Sequence, residues 1–317
     1  MKQKRVLVAG GAGFLGLNIV KCLATEGNQV VVIDNYATSR PSFQNYWDEL
    51  KNIEVIEHDI VDALPDMGMF DVVINLACPA SPPRYQQLAL ETLEVNSIGT
   101  QHLLELARRD HARFLQASTS EVYGNPLEHP QTESYWGNVN SYGPRSMYDE
   151  GKRYAEALIW VYRSKWKVNT GIIRIFNTYG SGMQYDDGRV ITNFLYQALH
   201  DQPLTIYGEG SQTRSFCAVN DQVSGWMKMI NAEMEGPVNI GNPKEFQISD
   251  LVSVIERLLG KKLNISYKPL PEDDPLQRRP DISLAKEQLE WQPTIELEDG
   301  LAMMLNWIEE FQPEGWI

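Results

Sequence analysis

The segment Val6-Leu7-Val8-Ala9-Gly10-Gly11-Ala12-Gly13-Phe14-Leu15-Gly16 constrains this chain more than any other. A short apolar run, strand-like in composition, leads straight into glycines and then into an amphipathic stretch. A chain passing from strand to helix so quickly must turn tightly and pack the helix close to the strand. Gly10, Gly13 and Gly16 read G-x-x-G-x-x-G, while Gly11, Gly13 and Gly16 also satisfy G-x-G-x-x-G. Spacing alone does not choose between these subtypes. Either form lets the backbone approach a pyrophosphate, and the helix N-terminus adds unpaired N–H groups and a positive dipole end. Gly10, Gly13, Phe14, Leu15 and Gly16 are therefore the expected contacts of a dinucleotide.

The rest of the first half repeats the strand-then-helix pattern. Arg5–Ala9, Gln29–Ile33, Ile53–Glu57, Asp71–Leu76, Arg113–Ala117 and Thr170–Phe176 read as strands. Gly13–Glu26, Leu88–Arg109 and Met147–Trp166 read as helices. Regular alternation predicts an α/β fold, a doubly wound parallel sheet of the Rossmann kind with helices on both faces. Past Asn177 the alternation weakens. A helix near Val190–His200, a strand near Pro203–Tyr207 and a helix over Ser249–Leu259 follow, with Ser249 as expected N-cap and Gly260 as stop. Pro269–Pro280 reads as extended loop. The expected division is a cofactor-binding domain over 1–180, with part of 214–240, and a smaller substrate lobe over most of 181–317.

The second strand ends in Asp34, 18 residues beyond Gly16. A carboxylate there accepts from the adenosine ribose hydroxyls and repels a 2′-phosphate, which favours NAD over NADP. Asn35 adjoins it; Asp59 and Ile60 follow the third strand, where Asp59 would lie near the adenine. Leu76 ends the fourth strand at the same edge, and Ala77 follows it.

Composition narrows the partners. A formal net charge of −14 disfavours nucleic acid and anionic membranes. Cys22, Cys78 and Cys217 are few, odd in number and far apart, so neither a disulfide framework nor a metal site is expected. The basic start precedes an apolar run too short for a secretory signal, and no stretch reaches the roughly 18 residues needed to span a bilayer. These features read as a reduced, cytoplasmic protein.

Tyr148 and Lys152 lie four residues apart, on one helical face, just before the sixth strand. A phenol titrates near 10 and is a poor base at neutral pH; a neighbouring ammonium and a nicotinamide cation would favour its ionised form. Such a tyrosine can take a hydroxyl proton while a hydride leaves for NAD⁺. The fifth strand ends in Ser118-Thr119-Ser120-Glu121, at the edge where open α/β sheets hold ligands. Thr119 could share a proton with Tyr148, and Glu121 adds a carboxylate nearby.

Together the glycine pattern, Asp34, Thr119 and Tyr148-x-x-x-Lys152 resemble the extended short-chain dehydrogenase/reductase family, which includes enzymes acting on nucleotide sugars. Longer stretches are similar to the members that decarboxylate UDP-glucuronate: Leu76–Pro82, Ser118–Gly124, Tyr135–Asn140, Tyr148–Arg153, Arg174–Gly180, Asp187–Val190, Gln212–Phe216 and Arg279–Ile282. The resemblance implies that Tyr148 takes the proton of the sugar 4-hydroxyl as NAD⁺ accepts hydride from C4. Carbon dioxide then leaves the β-keto acid, and the hydride returns. It implies catalytic roles for Thr119, Ser120, Glu121, Tyr148 and Lys152. It also implies substrate contacts at Asn177, Val190, Asn193 and Tyr207, diphosphate contacts at Arg214 and Arg278, and a homodimer built on the helices of Leu88–Arg109 and Met147–Trp166. Ser120 stands where the related dehydratases carry an aspartic acid that protonates a leaving hydroxyl. One departure is Ser181-Gly182, where the family usually has Pro-Arg. The alternatives are a UDP-sugar 4-epimerase, which uses the same Tyr148 and Lys152, and a non-catalytic NAD-binding protein.

Overall fold

The computed structural model describes residues 3–269 and 277–316, except the side chains at 43 and 44. Seven strands form one parallel sheet: β1 (Arg5–Ala9), β2 (Gln29–Asp34), β3 (Ile53–Glu57), β4 (Val72–Asn75), β5 (Arg113–Thr119), β6 (Thr170–Ile175) and β7 (Pro237–Ile240). Their order is β7-β6-β5-β4-β1-β2-β3. The chain lays down β1, β2 and β3 toward one edge and then returns to place β4 on the other side of β1. That reversal opens a crevice at the carboxyl ends of β1 and β4, where ligands of such sheets sit. Val6–Ala9 and all seven residues of β5 are buried, as strands covered on both faces must be.

The sheet separates two apolar clusters. Val6, Val8, Leu17 and Val32 on one face pack with Val219, Trp226 and Ile240 from the second half, and with Ile282–Trp291. Leu7, Val31, Val73 and Phe114 on the other face pack with Leu103, Ile159 and Tyr162. A third cluster stands apart from the sheet and joins Tyr179–Ile206 to Phe216, Leu251, Leu301 and Trp316.

The chain departs from the sequence reading in places with identifiable causes. Leu88–Arg109 is not one helix. α1 (Phe14–Thr25) is followed by α2 (Pro82–Gln87), α3 (Ala89–Glu94), a π turn over Val95–Gly99, and α4 (Thr100–Asp110). Thr92, Asn96, Ser97 and Thr100 each turn a side-chain donor back to a backbone carbonyl at 2.7 to 3.2 Å, which loosens the α-helical ladder. β5 runs two residues past Ala117 because Ser118 and Thr119 pair with Arg174 and Ile175 of β6. Ser249 is not an N-cap: the helix begins at Ile248, and the Ser249 N–H donates to the Gly210 carbonyl at 3.2 Å. Gly260 does end that helix, in the left-handed region. α5 (Ser146–Trp166) has the expected amphipathic form, burying Tyr148, Lys152, Ala155, Ile159 and Tyr162 on one face. Of the Pro269–Pro280 loop, 270–276 lie outside the described residues.

Candidate active site

The glycines differ in what holds them to glycine. Gly10 has φ +74°, donates to the Ile33 carbonyl at 2.8 Å, and lies so near β4 that an added Cβ would sit 2.6 Å from the Ala77 nitrogen. Gly10, not Gly11, therefore makes the turn; a Cβ on Gly11 would press Val32. A Cβ on Gly16 would lie 2.6 Å from the Gly11 Cα, so Gly16 lets α1 close against the loop. Gly13 is different. Its φ of −77° suits any residue, and the nearest atom to an added Cβ is the Gly10 oxygen at 3.3 Å. The interior barely requires glycine there, yet Gly13 faces the cavity described below. Among the described residues no side chain caps the α1 N-terminus. A smooth backbone face under uncapped N–H groups is a cradle that fits a pyrophosphate.

Asp34 is buried at the end of β2 and accepts from the Ala12 N–H (3.0 Å), the Tyr36 N–H (2.9 Å) and the Ser39 hydroxyl (2.9 Å). Burial pushes its carboxyl up against those three bonds, which lower it. Of its four lone-pair positions one remains for a ribose hydroxyl. Asn35 and Asp59 bond to each other at 2.8 Å. Ile60 is buried in the core, and the Ala77 N–H donates to the Asn75 side chain at 3.2 Å. These four and Asp34 stand beside the cavity and not on its wall.

The cavity has a volume of about 710 Å³ and opens at the carboxyl ends of β1, β4, β5 and β6. It brings together Thr119, Ser120, Glu121, Tyr148 and Lys152 with Leu76, Asn177, Val190, Asn193, Tyr207, Arg214 and Arg278. Residues from both halves of the chain thus meet at one site.

Tyr148 and Lys152 are buried on the first turns of α5. The Lys152 ammonium donates to the Ala117 carbonyl at 3.0 Å and stands 5.9 Å from the Tyr148 ring centre. The Tyr148 ring stacks on Tyr85, with centroids 4.9 Å apart and planes within 10°. Burial pushes the Tyr148 phenol up and the Cys78 thiol adds to this; the Thr119 hydrogen bond and the Arg189 charge pull it back. The lowering expected from Lys152 is therefore not met within the protein alone, because desolvation dominates.

Glu121 is held by two cations. Arg145 donates to its Oε2 at 2.7 Å and Arg278 donates to the same oxygen at 3.0 Å. Burial opposes ionisation, but Arg278, Arg145 and Arg214 outweigh it and hold the carboxyl below the ordinary range. Arg278 is 1% exposed and also donates to the Ser120 carbonyl at 2.6 Å. The arginine expected at a diphosphate is thus turned toward Glu121, and its Nε has no partner among the described residues. Asn193 donates to the Gly188 carbonyl at 3.0 Å, and Arg214 to the Thr213 carbonyl at 2.9 Å.

Sequence reading missed Arg145, Tyr85 and Arg189 on this wall. Arg145 lies one helical turn before Tyr148, a spacing that could have found it. Tyr85 follows two prolines on a six-residue helix, with no periodic signal. Asp149 was also passed over. It is buried, its Oδ1 has no partner among the described residues, and burial together with Glu121 pushes its carboxyl up to about 7. Among the described residues no cluster of three or more His, Cys, Asp or Glu could hold a metal, and no helix is long and apolar enough to cross a membrane.

Residues 6–241 match the NAD dependent epimerase/dehydratase family. UDP-glucuronic acid decarboxylase 2 of Arabidopsis thaliana is 48% identical over 96% of this chain and 68% of its own length. UDP-glucuronic acid decarboxylase 1 of Danio rerio is 46% identical over 94% of this chain and 71% of its own. Among solved structures, UDP-glucuronic acid 4-epimerase from Bacillus cereus, in complex with UDP-glucuronic acid and NAD, is 28% identical. It has a TM-score of 0.87, covering 97% of this chain and 99% of that one. A UDP-glucose 4-epimerase from Thermotoga maritima, at 24% identity and TM-score 0.90, shares the fold over 98% of this chain and all of its own.

Proposed function

From the premise that this chain belongs to the NAD dependent epimerase/dehydratase family, we propose that it is an enzyme converting UDP-glucuronate to UDP-xylose with loss of carbon dioxide. The observation that carries the reaction is 48% identity, over 96% of this chain, to a UDP-glucuronic acid decarboxylase, against 28% to a UDP-glucuronic acid 4-epimerase. NAD is the cofactor, over Gly10, Gly13 and the first turn of α1, with Asp34 on its ribose.

When bound, NAD would supply a reversible two-electron acceptor for C4 of the sugar and a positive charge in the site. That positive charge offsets the desolvation that keeps the phenol protonated. The ionised Tyr148 oxygen then removes the 4-hydroxyl proton, and Thr119 hydrogen-bonds the same oxygen. Lys152, fixed by the Ala117 carbonyl, keeps a positive charge near the phenolate. Oxidation leaves the C6 carboxylate β to a ketone. The C5–C6 bond breaks, its electron pair enters the enolate, and carbon dioxide departs without a leaving-group acid. Ser120 has no acidic proton to offer, so elimination of a hydroxyl is disfavoured at this site. Glu121, kept ionised by Arg145 and Arg278, orients donors around the ring. Protonation at C5 and reduction at C4 complete UDP-xylose.

The substrate contacts are placed at Asn177, Val190, Asn193, Tyr207, Arg214 and Arg278. Residues 1–180 with part of 214–240 serve the cofactor, and most of 181–317 serves the sugar nucleotide. The second copy of a homodimer covers the exposed apolar side chains of α3 and α5, among them Leu90, Leu93, Trp160 and Val161; a monomer by light scattering would contradict this. Three free thiols suit a reducing, cytoplasmic setting. Tyr148→Phe should abolish turnover and leave NAD binding intact. Turnover within a few-fold of the parent would remove Tyr148 from the chemistry.

A further inference from the structure

The crossing at residues 181–186 does more than open the second lobe. Its first part rests on α1. Asn18 donates to the Ser181 carbonyl at 2.9 Å, and Gly182, at φ +93°, lies against Phe14, Leu17 and Asn18, where a Cβ would be 3.3 to 3.6 Å from their side chains. Its second part rests on the segment after β2. The Gln184 amide donates to the Thr38 carbonyl at 2.7 Å, and the Arg40 Nε–H donates to Gln184 Oε1 at 3.4 Å. Asp186 stands between Arg84 at 2.6 Å and Arg40 at 3.7 Å, and the Arg40 guanidinium lies 5.2 Å over the Tyr185 ring. A third contact comes from the buried Trp316, whose indole N–H donates to the Met183 carbonyl at 2.9 Å.

These anchors stand on opposite banks of one groove. A dinucleotide with its pyrophosphate at the α1 N-terminus and its ribose at Asp34 runs between α1 and the segment after β2. Phe14, Thr38, Gly182 and Gln184 all face the same cavity. A chain segment bonded to both banks crosses above whatever lies between them. The Ser181-Gly182 pair suits that crossing, because glycine at positive φ lets the backbone settle on α1.

We propose that residues 181–186 are a strap over the dinucleotide groove, closed by Gln184 on Thr38 and by Asp186 between Arg40 and Arg84. The cofactor then leaves only when those contacts open, and one bound NAD serves many turnovers. This inference rests on the reading that the protein binds and recycles a dinucleotide. The decarboxylation is redox-neutral, so the site has no need to exchange cofactor between cycles. A strap slows exchange without slowing the chemistry.

The test is the release rate of NADH from the purified protein, followed by loss of its fluorescence after a chase with excess NAD. Arg40→Ala and Gln184→Ala should each release NADH about tenfold faster, the effect of losing a hydrogen bond with or without a partly buried ion pair. Lys261→Ala, which removes an exposed pair to Asp201, should not change the rate. If Arg40→Ala fails to fold, Gln184→Ala alone decides. NADH bound by the parent but released at the same rate by the folded variants overturns the strap alone. No NADH bound by the parent overturns the underlying function with it.

Discussion

Replacing Gly13 and Gly16 by alanine, one at a time, separates a glycine needed by the fold from one needed by the ligand. At Gly16 the new Cβ meets backbone atoms, with the Gly11 Cα 2.6 Å away. Backbone yields little, so the overpacking cost of about 1–3 kcal/mol exceeds the 0.4–1 kcal/mol or so gained by stiffening the unfolded chain. At Gly13 the dihedral is already extended, and the one close atom, at 3.3 Å, needs only a small shift. Losing glycine at an N-cap costs up to about 1 kcal/mol, much the same as the unfolded-state gain. Gly13→Ala should therefore melt within about 2 °C of the parent, while Gly16→Ala melts several degrees lower, since 1 kcal/mol moves a chain of this size by roughly 2–4 °C. The order reverses in function. The alanine methyl introduced at position 13 occupies the space a pyrophosphate needs, so NAD affinity by calorimetry should fall at least about tenfold. Gly13→Ala binding NAD as tightly as the parent would refute the cradle.

Asp149→Asn should stabilise the protein increasingly as pH rises. The folded carboxyl titrates near about 7, against an ordinary value of 3.8. Between those values the folded state holds a proton that the unfolded chain has lost. The parent loses stability across that window, by up to about 4 kcal/mol once above pH 7. Melting curves at pH 5 and pH 8 check this, and a gap between parent and variant that is the same at both would sink it. Asp34 should make NAD bind at least about a hundredfold more tightly than NADP, as expected when a buried carboxylate meets a 2′-phosphate dianion; equal affinities in parallel titrations would contradict that role.

Most of the sheet was legible in the sequence because buried parallel strands are short apolar runs, and the helices between them have apolar faces of regular spacing. The glycine loop was legible because Gly10 and Gly16 answer backbone demands that only glycine meets. What local pattern could not show depended on contacts distant in sequence. β5 reached Thr119 only because β6 offered pairing partners to a segment that locally resembles a turn. The π turn came from four polar side chains bonding to backbone carbonyls within a helix-like pattern. Arg278 carried a motif but not its partner, and its pairing with Glu121 spans 157 residues. Tyr85 gave no signal, because stacking on Tyr148 exists only once α2 and α5 are placed together. The strap was equally hidden, since Asn18, Thr38, Arg40 and Gln184 are unremarkable surface types until the two banks of the groove are in view.

The Tyr148 site is expected to remove carbon dioxide from its substrate instead of inverting a hydroxyl. Incubating the protein with UDP-glucuronate, collecting carbon dioxide in the headspace and resolving the sugar nucleotides tests it directly. Carbon dioxide and UDP-xylose are expected in equal amounts. UDP-galacturonate formed without carbon dioxide would contradict this and assign the same residues to a 4-epimerase.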